Sequence, residues 1–128
     1  MRVIPTRVHA VFDYGIGLLL VVSPWLFDFA RGDAATWVPV AVGGSMVGYS
    51  LMTDYERGVV RRIPMPLHLA LDVVGGVLLL VSPWLFQFFD YVWTVHVLIG
   101  CLAIVVALTT WRTAAFTKGG APADGWLY

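Results

Sequence analysis

The string Ser-Pro-Trp-Leu-Phe occurs twice, at residues 23–27 and 82–86, inside two longer stretches that align without a gap. The alignment pairs Arg2–Ala30 with Arg61–Phe89 at a constant offset of 59 residues (Ser23 to Ser82). Its identities include Ile4/Ile63, Pro5/Pro64, His9/His68, Asp13/Asp72 and Gly17/Gly76. A self-match of this length constrains the fold strongly, because whatever supersecondary unit one copy builds, the other builds too.

Hydropathy indicates what that unit is. Of 128 residues 59% are apolar and 12% charged, and the mean hydropathy is +0.82. A soluble domain carries roughly a quarter charged residues, so most of this surface must face something other than water. Four apolar stretches, about residues 8–29, 36–53, 67–89 and 91–111, approach the ~20 helical residues that cross a hydrocarbon core. The first has no small-residue cleavage site and is followed by three of its kind, which argues against a signal peptide. A tight turn is expected over Gln87–Tyr91.

Two spans per copy give both copies the same orientation, related by a pseudo-two-fold axis along the membrane normal. The expected fold is all-α, an integral membrane four-helix bundle made of two tandem, parallel-repeat hairpins within one membrane domain, 1–128. Repeat 1 covers about 2–57 and repeat 2 about 61–112, while 113–128, rich in glycine and alanine with a proline, reads as a flexible cytoplasmic tail. A three-residue deletion in the outer loop brings the second helices into register as Trp37/Trp93, Gly44/Gly100 and Thr53/Thr109.

Charge placement orients the bundle. Arg2, Arg7, Arg57, Arg61, Arg62, Arg112 and Lys118 lie at one side and only Arg31 at the other. This asymmetry puts both termini and the central loop in the cytoplasm of a cell with an inner (plasma) membrane. No basic run is dense enough for nucleic acid. The tryptophans and phenylalanines around Trp25, Trp37, Trp84 and Trp93 fit an aromatic belt at the outer interface. Cys101, the single cysteine, is expected to be a buried packing residue.

Prolines and glycines carry the packing. Pro5 and Pro64 suit helix starts, where a missing N–H costs nothing. Helix one is expected from about Thr6 to Phe29, kinked near its outer end by Pro24, as its counterpart is by Pro83. Each inner proline frees the carbonyl four residues back, at Leu20 or Leu79, and Ser23 or Ser82 is the nearby donor. Gly44-x-x-x-Gly48 forms a small-residue face on the second helix, answered by Gly100 on the fourth. Gly17 and Gly76 do the same for the first and third.

The polar residues inside the spans are the chemically informative ones. His9 with Asp13, and His68 with Asp72, stand at i,i+4 on one helix face, in line with Gly17 and Pro24 or Gly76 and Pro83. Ionisable groups at that depth turn away from lipid. Three readings are open. Each pair neutralises itself and fixes packing; or both pairs meet at the axis as a divalent-metal site, with bis-histidine haem ligation a weaker variant; or the stripes form a proton or ion path. His96 has no histidine counterpart and reads as local. No nucleophile–base set, phosphate loop or metalloprotease motif occurs, so an enzyme is not expected.

Two membrane hairpins, each with Ser-Pro-Trp late in its first span, resemble the SPW-repeat family of small prokaryotic membrane proteins. The resemblance covers nearly the whole chain, including Ser23, Pro24, Trp25, Ser82, Pro83 and Trp84. It implies the four-helix membrane fold and no particular reaction, cofactor or substrate. The expected role is therefore a structural or accessory membrane component in contact with the lipid bilayer, packing with itself as a homo-oligomer or with a larger complex. No cofactor is predicted beyond the divalent metal that the His–Asp stripes would admit.

Overall fold

In the computed structural model, residues 2–112 are described and fold into four helices: α1 (Thr6–Leu26), α2 (Ala34–Leu51), α3 (Met65–Leu85) and α4 (Thr94–Thr109). The tail expected over 113–128 lies outside the described residues. The architecture is all-helical, two hairpins side by side, with α1 on α2, α3 on α4, and the hairpins joined by α2 against α3 and α1 against α4.

The first helix of each hairpin begins after a proline in extended backbone, Pro5 (φ −65°) and Pro64 (φ −69°). Each ends sooner than the sequence suggested, at Leu26 and Leu85 rather than near Phe29 and Phe89. The reason lies in the repeated string itself. Asp28 (φ 57°) and its counterpart Gln87 (φ 59°) are left-handed, which stops a helix. The amides of Phe29 and Phe88 then donate to the carbonyls of Pro24 and Pro83, and those of Asp28 and Gln87 to the carbonyls of Trp25 and Trp84. This paired 6→1 and 5→2 pattern is a Schellman stop. Ser23 Oγ donates to Leu20 O at 2.9 Å and Ser82 Oγ to Leu79 O at 2.8 Å, the two carbonyls that the prolines free. The Ser-Pro-Trp string is thus a helix-stop cassette, and the buried Phe29 and Phe88 are its apolar anchors.

Within each hairpin the helices cross at glycine. A Cβ on Gly17 would meet Gly43 O at 3.1 Å, and one on Gly43 would meet Gly17 O at 2.5 Å. In the second hairpin, a Cβ on Gly76 would meet Gly100 O at 2.9 Å, and one on Gly100 would meet Gly76 O at 2.7 Å. Gly100 therefore corresponds to Gly43, not to Gly44, and the offset between the second helices is 57 residues rather than 56. The deletion in the outer loop is two residues, and Thr53 pairs with Thr110. Gly44 and Gly48 are exposed, and a Cβ on either would meet nothing within 4 Å. Among the described residues they take no part in packing. Cys101, expected from its residue type to be a buried packing residue, is exposed.

Short main-chain bridges close the end of the bundle at which the helix pairs begin and finish. Thr53 bridges Ile63, and Ile4 bridges Thr110. Around them Arg62 and Ile63 donate to Met52 O, as Val3 and Ile4 donate to Thr109 O. Each hairpin's start is clasped to the other hairpin's end, so the pseudo-two-fold extends to the backbone.

Two apolar layers fill the axis, one of Ala10, Tyr55, Met65, Leu69 and Ala107, the other of Leu20, Val42 and Leu79. The outside is apolar too: Leu18, Val74, Leu98, Val105 and Leu108 are each 57–64% exposed. A water-facing monomer rarely shows so continuous an apolar coat. α1 and α3, 21 residues each, are long and apolar enough to cross a membrane. α2 and α4 are shorter, at 18 and 16 residues, which is ~27 and ~24 Å of helix. Together these features fit a small membrane protein.

Candidate metal centre

His9 and Asp13 share the inward face of α1, and His68 and Asp72 that of α3. All four are at least 97% buried. The pseudo-axis brings the two stripes together, so they face each other rather than their own second helices. His9 Nε2 lies 3.2 Å from His68 Nε2. Each Nε2 also touches both carboxylates: His9 at 3.1 Å from Asp13 Oδ1 and 3.0 Å from Asp72 Oδ2, His68 at 3.0 Å from Asp13 Oδ2 and 3.2 Å from Asp72 Oδ2. One donor atom per residue can be chosen so that all four lie within 4.8 Å of one another.

Two threonines fix the ring nitrogens that point away. Thr53 Oγ1 is 2.7 Å from Tyr49 O and 2.7 Å from His68 Nδ1. Thr110 Oγ1 is 2.6 Å from Val106 O and 2.9 Å from His9 Nδ1. A carbonyl can only accept, so each hydroxyl hydrogen is committed to the helix. Each threonine oxygen must then accept from Nδ1–H. Both imidazoles are held with the proton on Nδ1 and with Nε2 aimed into the cluster, the arrangement that outer-shell partners impose on metal-binding histidines.

Tyrosines complete the carboxylates, and not symmetrically. Tyr49 donates to Asp72 Oδ1 at 2.6 Å, and Tyr55 to Asp13 Oδ2 at 3.3 Å. Burial pushes the Tyr55 phenol above its ordinary range, so it remains a donor. Both rings also pack on His68, with centroids 5.1 and 5.4 Å away.

Charge balance defines what the cluster can hold. Imidazoles protonated only at Nδ1 would set the lone pairs of both Nε2 atoms against each other and against carboxylate oxygens at 3.0–3.2 Å. Two buried carboxylates require two positive charges, and two protons or one dication would each supply them. With metal–ligand bonds of ~2.0–2.1 Å, a tetrahedral centre has ligand-to-ligand edges of ~3.3 Å. The Nε2–Nε2 and Nε2–carboxylate separations are within a few tenths of an ångström of that, while the full set of one donor atom per residue fits within 4.8 Å. Haem is different. Axial histidines on opposite faces of an iron stand ~4 Å apart with the macrocycle between them, and His9 and His68 are closer than that with carboxylates filling the gap.

The sequence located His9, Asp13, His68 and Asp72 but not Thr53, Thr110, Tyr49 or Tyr55 as their partners. The recurring threonine at the end of each second helix was the available signal, obscured by the one-residue register error. His96 sits at the other end of the axis, between Phe29 and Phe88, with Nε2 3.0 Å from Ala35 O, and takes no part in the cluster. The SPW repeat domain family matches residues 7–110 of the chain. No curated protein and no solved structure matches it.

Proposed function

The chain belongs to the SPW repeat domain family, and we propose that it is a small membrane component that holds one divalent transition-metal ion between its two hairpins. The observation that carries this reading is the convergence of two Nε2 atoms and two carboxylates at 3.0–3.2 Å, with both tautomers set for coordination. Mixed imidazole and carboxylate donors suit zinc, iron, manganese or cobalt better than calcium, magnesium or copper(I). One ligand pair comes from each repeat, so a bound ion would tie the hairpins together. The role that follows is a structural or accessory one in the inner (plasma) membrane, with all four helices as spans. Arginine placement supports termini and central loop on the cytoplasmic side. The exposed Gly44 and Gly48, which meet no neighbour among the described residues, support contact with a second copy or a larger complex.

The proton- or ion-path reading has less behind it. Leu20, Val42 and Leu79 form an apolar layer across the axis, between the cluster and the outer end.

Two measurements test the proposal. Elemental analysis of the full chain, purified without chelator, should find about one zinc-class ion per protein, lost in His9→Ala and His68→Ala. No metal, and no rise in melting temperature on adding zinc, would count against it. Cysteines placed at Ala30 and Val59 in a Cys101→Ser background should label from opposite sides of the membrane. Labelling of both from one side would overturn the topology.

A further inference from the structure

The two clasps that join the hairpins share a backbone and differ in charge. At the central one Asp54 N donates to Ile63 O at 2.8 Å, and at the terminal one Trp111 N donates to Ile4 O at 3.0 Å. The offsets of 59 and 57 residues therefore set Arg2 against Arg61, Trp111 against Asp54 and Arg112 against Tyr55. The cation at the start of each repeat is kept. The acid of the central clasp becomes an indole in the terminal one. The phenol that turns inward to Asp13 becomes a second guanidinium.

The terminal clasp holds these groups side by side. Arg2 Nη1 donates to Thr110 O, and the Trp111 indole N–H donates to Arg2 O at 2.9 Å. Partial burial, and then the like charge of Arg112, disfavour the charge on the Arg2 guanidinium. Among the described residues no carboxylate pairs with Arg2 or Arg112, whereas the central loop carries Asp54 and Glu56 among its arginines. Val3 and Trp111 are exposed, so apolar surface adjoins the two cations. Trp111 follows the last residue of α4, Thr109, by two positions, where a span meets its interface.

Resting on the membrane reading above, we propose that Arg2, Arg112 and Trp111 form a site for the phosphate headgroup of one anionic phospholipid. Each guanidinium presents a planar fork of donors that matches phosphate oxygens, and the phosphate supplies the negative charge that this clasp lacks. An indole with its polar tip engaged suits headgroup depth, and the acyl chains would continue over Val3 along the apolar coat. A free phosphate offers the same oxygens but leaves Val3 and Trp111 uncovered, so the surface favours the lipid.

Native mass spectrometry of the full chain, released from nanodiscs of zwitterionic lipid titrated with phosphatidylglycerol, reads the site directly. The unaltered chain should retain one phosphatidylglycerol. Arg2→Gln and Arg112→Gln should each lower retention about tenfold. Arg112→Gln leaves the bond from Arg2 to Thr110 O in place and serves if the Arg2 variant fails to fold. Arg61→Gln and Arg62→Gln, at the central clasp, should stay within about twofold of the unaltered chain. Equal losses at Arg61 and Arg112 would reduce the effect to general attraction by a basic surface and overturn the proposal. So would lipid displaced by inorganic phosphate, which would reassign the site to a free anion, and so would no retained phosphatidylglycerol. A chain that stays in solution without bilayer or detergent would bring down the membrane reading, and this site with it.

Discussion

The Nε2 atoms of His9 and His68, 59 residues apart in the chain, stand 3.2 Å from each other at the centre of the bundle. Nothing in either hairpin alone forces this contact; it exists because the clasped backbone superposes one stripe on the other. Their Nδ1 atoms are held by Thr110 and Thr53, so metal affinity should depend on residues that never touch the ion. Thr53→Val and Thr110→Val should each weaken zinc binding by about 10–100-fold. Serine at either position should restore most of it. Competition with a chromophoric chelator measures both.

The cluster's dependence on pH has a definite sign. Two protons or one dication would balance the two buried carboxylates. Raising the pH removes the competing protons, so affinity should rise with pH, by up to ~100-fold per unit where both are displaced, and then level off. Calorimetry in buffers of different ionisation enthalpy should give close to two protons released per ion. Release of none would mean that the ion binds elsewhere.

The glycine register makes opposite predictions for adjacent residues. Gly43→Ala and Gly100→Ala place a methyl 2.5 and 2.7 Å from a facing carbonyl oxygen, which backbone cannot relieve cheaply. Each should destabilise the fold by roughly 1–3 kcal/mol. Gly44→Ala and Gly48→Ala meet nothing and should leave the isolated chain unchanged or up to ~1 kcal/mol more stable. Thermal unfolding in detergent separates the two classes. Equal effects at Gly43 and Gly44 would refute the register.

The helix-stop cassettes carry strain that glycine would relieve. Asp28 and Gln87 adopt φ of 57° and 59°, a conformation costing roughly 1–2 kcal/mol for a residue with a Cβ. Asp28→Gly and Gln87→Gly should therefore raise stability by about 1 kcal/mol each, seen as higher melting temperatures. A loss of stability would mean that these side chains contribute more than their backbone strain costs.

Most of the architecture was legible in the sequence because the two first helices repeat without a gap. The His–Asp stripes could be placed on a helix face by spacing alone. What spacing could not decide was whether the stripes faced each other, since that depends on how the hairpins dock. The second helices were misaligned by one residue because Trp37 and Trp93 invite pairing. In the structure Trp37 lies within α2, while Trp93 precedes α4; a membrane interface would reward the ring and not the register. The identities that mark the true register, Asp33/Asp90, Gly43/Gly100 and Thr53/Thr110, are small and dispersed. That one-residue slip concealed the threonine partners.

Because Ile4 meets Thr110 as Ile63 meets Thr53, the chain's outer ends and its central junction are interchangeable connectors. A gene opened in the central loop and joined from residue 112 to residue 2 should encode the same ring of four helices in permuted order. A gene carrying one hairpin would encode a homodimer with His₂Asp₂ on a true two-fold axis. Such a dimer would be bound by its symmetry to place the same side chain beside each carboxylate. Two unlike copies in one chain are free of that constraint, and Tyr49 opposite Val106 is a pairing that a symmetric dimer of one hairpin cannot make.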